Sequence, residues 1–212
     1  VAAPDRPDAR DPTLSYYERN AGRITDGYET VDLTATLSRV CAHLPAGARV
    51  LEIGCGSGRD AARLLAEGFD VTAVDGSPAM AQRAGRLHPE LAGRIRLVRL
   101  PAALPFADAA FEAVLSFATI MHLPERDIAG LLAECRRVLT AAGTLAVSVP
   151  TARADLDAHG FDPRGRRFTV LDEAGWRDRL AAAGFRIREA WGSADAAGRA
   201  GVRWYTAVAT AG

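Results

Sequence analysis

Three alternate glycines, Gly54, Gly56 and Gly58, follow the apolar run Val50 to Ile53 and precede Arg59 and Asp60. Lacking a side chain, glycine lets a backbone turn sharply and come close to a ligand at the carboxyl end of a strand. A second β-rich run ends on Asp75, so the pattern predicts a nucleoside pocket in which one carboxylate accepts from both ribose hydroxyls. Glu52 stands two residues before the first glycine. The dinucleotide fingerprint spaces its glycines G-x-G-x-x-G and receives a pyrophosphate there, which an acidic neighbour would repel. A cationic amino group would be attracted instead.

His122 follows the fourth β-rich run, at the edge where open α/β sheets bind ligands. It is the one histidine the sequence places to act as a general base, with a capping or hydrogen-bonded ring as the competing reading. His43 and His88 read as surface residues, and His159 as a solvated loop histidine. Tyr16 and Tyr17 pack a helix onto the sheet or reach a ligand. Cys41, Cys55 and Cys135 are too few and too widely spaced for a disulfide framework or a zinc set. Cys55 reads as small packing between glycines, and the tryptophans Trp176, Trp191 and Trp204 as core.

Short β-rich runs alternating with helical patterns place these residues on a sheet covered on both faces. The runs are Arg49–Ile53, Asp70–Val74, Ile95–Leu100, Phe111–Ser116, Thr144–Val149, Arg186–Trp191 and Val202–Ala209. Ser77-Pro78 predicts a capped helix start, and Asp172 a second one, with Leu171 and Trp176 as a hydrophobic staple and Gly184 as the stop. Glu125 to Leu139 carries Ile128, Leu131, Leu132, Cys135 and Val138 at helical spacing. Leu14 to Gly22 and Val31 to Leu44 predict two lid helices. We expect a tail over 1–12 and one domain over 13–212, comprising a lid over 13–46 and a core over 47–212. Within that core, 151–167 is polar and aperiodic and reads as a substrate loop. The stretch Ala194 to Arg199 reads as a solvated hairpin whose edge could border an acceptor site.

Formal net charge is zero, so no broad footprint for a phosphate backbone or an anionic membrane exists. All 26 basic side chains are arginine, which removes lysine Schiff-base chemistry and the lysine-dependent P-loop. No secretory signal is expected in 1–12, no apolar run reaches the roughly 18 residues of a span, and the cysteine usage suggests a reducing, cytoplasmic setting.

Val50 to Ala84 resembles motifs I and II of the class I S-adenosylmethionine-dependent methyltransferases. Leu104 to Asp108 with Phe111 to Ser116, Val138 to Leu145, and Ala183 to Phe185 resemble further segments of that family. Gly56 to Asp60 with Tyr16 to Ala21 most resembles its small-molecule, thiopurine and tellurite-type branch. The resemblance implies an α/β, Rossmann-like, seven-stranded and mostly parallel sheet with the last strand antiparallel. It also implies S-adenosylmethionine held by Tyr17, Glu52, Gly54, Cys55, Gly56, Gly58, Asp75, Gly76, Ser77, Met80, Pro101, Ala102, Ser116 and Phe117, with Met80 and Phe117 beside the adenine. The segment Arg99 to Ala103 lacks the acid that relatives often place near the adenine amino group.

The expected activity is methyl transfer to a small-molecule acceptor without a metal, with His122 taking a proton where the acceptor requires it. No nucleic-acid or membrane partner is expected. The competing readings are a nicotinamide-dependent oxidoreductase and a non-catalytic nucleotide-binding protein.

Overall fold

A computed structural model describes residues 11–212. The element order is α1 (Pro12–Glu29), α2 (Thr34–Cys41), β1 (Arg49–Ile53), α3 (Arg59–Ala66), β2 (Asp70–Asp75), α4 (Pro78–Leu87), β3 (Ile95–Leu97), β4 (Phe111–Phe117), α5 (Glu125–Val138), β5 (Leu139–Arg153), α6 (Glu173–Ala182), β6 (Phe185–Ala194) and β7 (Val202–Ala211). The seven strands form one sheet in the order β3-β2-β1-β4-β5-β7-β6. β1 to β5 pair in parallel, while β7 runs antiparallel to both neighbours.

β1 and β4 are central, and their burial on both faces explains why Ala113–Leu115 and, apart from the buried Glu52, Val50–Ile53 are apolar without alternation. One face of the sheet packs Leu51, Ile53 and Val114 with Ile128, Leu131, Leu132 and Trp176. The other packs Val50, Val71 and Leu115 with Leu37, Ala61 and Leu64. Strand order reverses between β1 and β4, so the crevice at their carboxyl ends is a topological switch point, the preferred ligand site of such sheets.

Both predicted caps are present: Ser77 Oγ accepts from Met80 N, and Asp172 Oδ1 from Gly175 N. Gly184 stops α6 with φ +81°. α1 is longer than the sequence pattern indicated, because Asp11 caps it and Pro12 occupies its first turn. The expected tail therefore yields Asp11 and Pro12 to the fold, and its remainder lies outside the described residues. β5 is also longer than expected: Ala152 and Arg153 keep pairing with Arg203 and Val202 past a register shift. The segment read as a loop over 151–167 thus begins as strand and continues as a turn closed by the Phe161–Arg167 bridge. β3, in contrast, ends at Leu97. No helix among the described residues is long and apolar enough to cross a membrane.

Candidate cofactor and acceptor site

A cavity of about 590 Å³ opens at the switch point, lined by β1, β2, β4, the lid helix α1, and turns from the β5–α6 and β6–β7 connections. Its floor is the glycine turn, where Gly54, Gly56 and Gly58 take φ of +78°, +58° and +84°, the left-handed region that favours glycine. Thr119 covers Gly54 so closely that a Cβ there would lie 2.0 Å from its Oγ1, and at Gly56 a Cβ would meet the Tyr28 ring at 3.3 Å.

Two carboxylates flank this turn. Asp75 accepts from Gly56 N at 3.0 Å and from Ser77 N at 2.9 Å, while burial raises its carboxyl to about 6. Each oxygen retains a lone pair, which suits a diol. Glu52 is 5% exposed, and its Oε2 has no hydrogen-bond partner. Burial first, then the nearby Asp60 carboxylate, pushes Glu52 well above the usual carboxylate range. An unpaired buried carboxylate oxygen is costly unless a cationic donor completes it. The donor set therefore fits a ligand with a ribose at Asp75 and an ammonium near Glu52.

The lid helix is tied to this floor at three places. Glu18 takes hydrogen bonds from Ser77 Oγ and Ala79 N, Arg83 reaches Thr25 and Asp26, and Arg59 Nη1 donates to the carbonyls of Tyr28 at 2.6 Å and Val31 at 2.8 Å. These contacts bring Tyr28 over Gly56 and Tyr17 toward β4.

Tyr17 and His122 face each other, with the phenol oxygen 2.9 Å from Nε2. The carbonyl of Arg167 lies 2.6 Å from Nδ1 and only accepts, so Nδ1 carries the ring proton and Nε2 accepts from the Tyr17 hydroxyl. The same phenol oxygen lies 3.3 Å from Arg166 Nη1, a donor to it, and Tyr28 reaches it at 3.5 Å. Burial, reinforced by Arg166 and Arg153, lowers His122 to about 4. Arg166 is pinned on Asp162 through Nε and Nη2, and Arg153 stacks on Phe168 at 3.8 Å.

Of the residues assigned to cofactor binding, Tyr17, Glu52, Gly54, Cys55, Gly56, Asp75, Gly76, Met80 and Phe117 line the cavity. Five do not. Pro101 and Ala102 are exposed beyond the lining, where Val98, Arg99 and Leu100 stand instead. Ser77 is wholly buried as the α4 cap, Ser116 is buried beneath the cavity-lining Phe117, and Gly58 caps α3 against Leu91, Ala84 and His88. His159 is exposed off the site. Ala196 to Arg199 of the hairpin read as solvated are exposed, whereas Asp195 is buried, accepts from Arg199 and Trp204, and lines the cavity with both. Tyr28, Arg59, Arg166 and Asp195 went unassigned in the sequence because no local motif carries them.

Strand order and glycine turn are Rossmann-like, and with the two flanking carboxylates they resemble the class I methyltransferase type. Residues 50–143 match the family model described as "Methyltransferase domain". The chain is 35% identical over 114 residues to a 2-methyl-6-phytyl-1,4-hydroquinone methyltransferase from Synechocystis sp., covering 53% of this chain and 35% of the relative. It is 32% identical over 164 residues to a probable S-adenosylmethionine-dependent methyltransferase from Mycolicibacterium smegmatis, covering 75% and 60%. It thus spans between about a third and three fifths of those relatives. The solved structure of Burkholderia thailandensis 1,6-didemethyltoxoflavin-N1-methyltransferase, with 1,6-didemethyltoxoflavin and S-adenosylhomocysteine bound, is similar at TM-score 0.77 and 23% identity. That likeness, over 100% of this chain and 93% of the other, is one of fold. The resemblance to class I S-adenosylmethionine-dependent methyltransferases therefore holds in motif and in architecture.

Proposed function

We propose that this chain transfers a methyl group from S-adenosylmethionine to a small-molecule acceptor, as one domain over 13–212 with α1 and α2 as its lid. The observation that carries the reading is the unpaired Glu52 oxygen buried beside the glycine turn, with Asp75 across from it. A diol and an ammonium satisfy these two groups, and a pyrophosphate satisfies neither. The matched family and the curated relatives support the same reaction.

When bound, the cofactor supplies an electrophilic methyl group on a good thioether leaving group. Asp75 holds the ribose, Glu52 the amino end, and Met80 and Phe117 the apolar wall. On the other side, Tyr17 faces the acceptor and His122 fixes the direction of its hydroxyl. With its nitrogen held near 4 by burial, His122 stays neutral in ordinary buffers and serves as a hydrogen-bond acceptor for Tyr17. We therefore read His122 as the fixed acceptor of the Tyr17 hydroxyl in place of the general base expected from the sequence. Positioning the acceptor in line with the methyl group supplies much of the rate, on the order of 7–11 kcal/mol in favourable cases. The neutral net charge and the cavity volume of about 590 Å³ support a small acceptor over a nucleic acid.

Calorimetric titration tests the assignment. Saturable binding of S-adenosylhomocysteine without NADH binding is expected, and methyl transfer across an acceptor panel should follow. Binding of NADH alone would replace the reading with an oxidoreductase.

A further inference from the structure

The cavity is electrically polarised. Its cofactor end carries Glu52, Asp60 and Asp75, whereas the opposite end is lined by Arg23, Arg153, Arg164, Arg166 and Arg199. Three carboxylates face those five guanidinium groups: Asp155 pairs with Arg153, Asp162 with Arg166, and Asp195 with Arg199. Arg23 donates only to the Tyr16 hydroxyl and Asn20, and Arg164 has no acidic partner among the described residues. Asp11 and Asp32, the other two lining carboxylates, cap Leu14 N and Thr34 N, so Arg23 and Arg164 are left without a carboxylate partner among the described residues.

The paired arginines are also held ready to bind. Arg199 uses Nε and Nη2 on Asp195, and Arg153 uses Nε and Nη2 on Asp155, so each keeps its Nη1 without a protein partner among the described residues. Arg153 is fixed further by Phe168 beneath it and is 2% exposed. Guanidinium groups pinned this way lose little freedom when they take an oxyanion, and their fork matches carboxylate and phosphate geometry.

We infer, resting on the methyl-transfer reading, that the acceptor is a small organic acid whose carboxylate or phosphate sits among these arginines. The cofactor's sulfonium and α-carboxylate offset each other and its ammonium is matched by Glu52, so it leaves the two guanidinium groups without a carboxylate partner still to be balanced. An anionic acceptor balances that charge, and a neutral one leaves it unpaired in a partly dry space.

The test uses three matched phenols, 4-hydroxybenzoate, 4-hydroxyphenyl phosphate and 4-hydroxybenzamide, titrated calorimetrically into the full chain with and without saturating S-adenosylhomocysteine. At least one acid should bind about tenfold or more tighter than the amide, the return for one charge-assisted contact. The two acids, compared with each other, separate a carboxylate site from a phosphate site. The preference should fall with added salt and in an Arg23→Gln/Arg164→Gln double variant, whose two positions are exposed and leave the core untouched. Equal or tighter binding of the amide, or no acid binding below about 10 mM, overturns the inference. S-adenosylhomocysteine binding is read in the same titrations, so its absence sinks the methyl-transfer reading separately, while the ligand-free titrations still decide the acid preference.

Discussion

The hydroxyl of Tyr17 and Nε2 of His122 lie 2.9 Å apart across 105 residues of sequence, joining the lid helix to the end of β4. Because the Arg167 carbonyl fixes the proton on Nδ1, the direction of this bond is settled, and the phenol donates.

Removing that acceptor should separate chemistry from cofactor binding. His122→Ala leaves the Tyr17 hydroxyl free to rotate, and we expect turnover to fall by about 10- to 100-fold with S-adenosylhomocysteine affinity nearly unchanged. His122→Gln, which keeps an acceptor, should recover part of it. A near-normal kcat in both variants would remove His122 from the reaction.

The same ring sets an acid limit on stability. Its folded value near 4 lies below the ordinary 6.5, so the folded state binds fewer protons than the unfolded chain between these limits. Stability present above about pH 6.5 is therefore lost as pH falls toward 4, by on the order of 2–3 kcal/mol. Urea melts at pH 7 and pH 5, compared between the wild type and His122→Gln, should isolate this loss from the opposite contributions of Asp75 and Glu52, whose raised carboxyls bind more protons in the folded state.

Asp75→Ala should weaken S-adenosylhomocysteine binding by roughly 1.5–3 kcal/mol for each charge-assisted bond lost to the ribose. In the wild type, affinity should decline as pH drops through about 6, where the carboxylate takes a proton. A flat affinity profile from pH 5 to 8 would contradict the ribose assignment.

Glu52→Gln carries opposite signs for two readouts. With the cavity empty, removing a buried carboxylate that burial pushes toward the neutral form should raise Tm or leave it unchanged. Affinity for S-adenosylhomocysteine should drop. Loss of both would mean that Glu52 serves the fold alone.

Gly56→Val should abolish binding, since φ is +58° there and the new side chain would enter the space held by the Tyr28 ring. Retained affinity would show that this turn is not the cofactor floor.

The site divides by range in sequence. Glu52, the glycines and Asp75 were legible because one strand-turn-helix unit and the next strand carry them, as were the caps Ser77 and Asp172. Arg166 and Asp195 were not: Asp162 and Trp204 lie only four and nine residues from them, but in a turn and a hairpin without periodic pattern, and Tyr17 is 149 residues from Arg166. Arg59 entered the sequence reading only within the Gly56 to Asp60 segment, yet it is bonded to carbonyls 28 and 31 residues upstream. Pro101 and Ala102 failed for a related reason: the chain leaves β3 at Leu97, and the cavity wall comes from Val98 to Leu100.

A single helix, α1, carries Tyr28 over the glycine turn and Tyr17 onto His122. Its bonds to Arg59, Ser77 and Arg83 hold both doors on one hinge. A displacement of this one helix would therefore reshape both walls of the cavity together, so neither end of the site can be altered without the other.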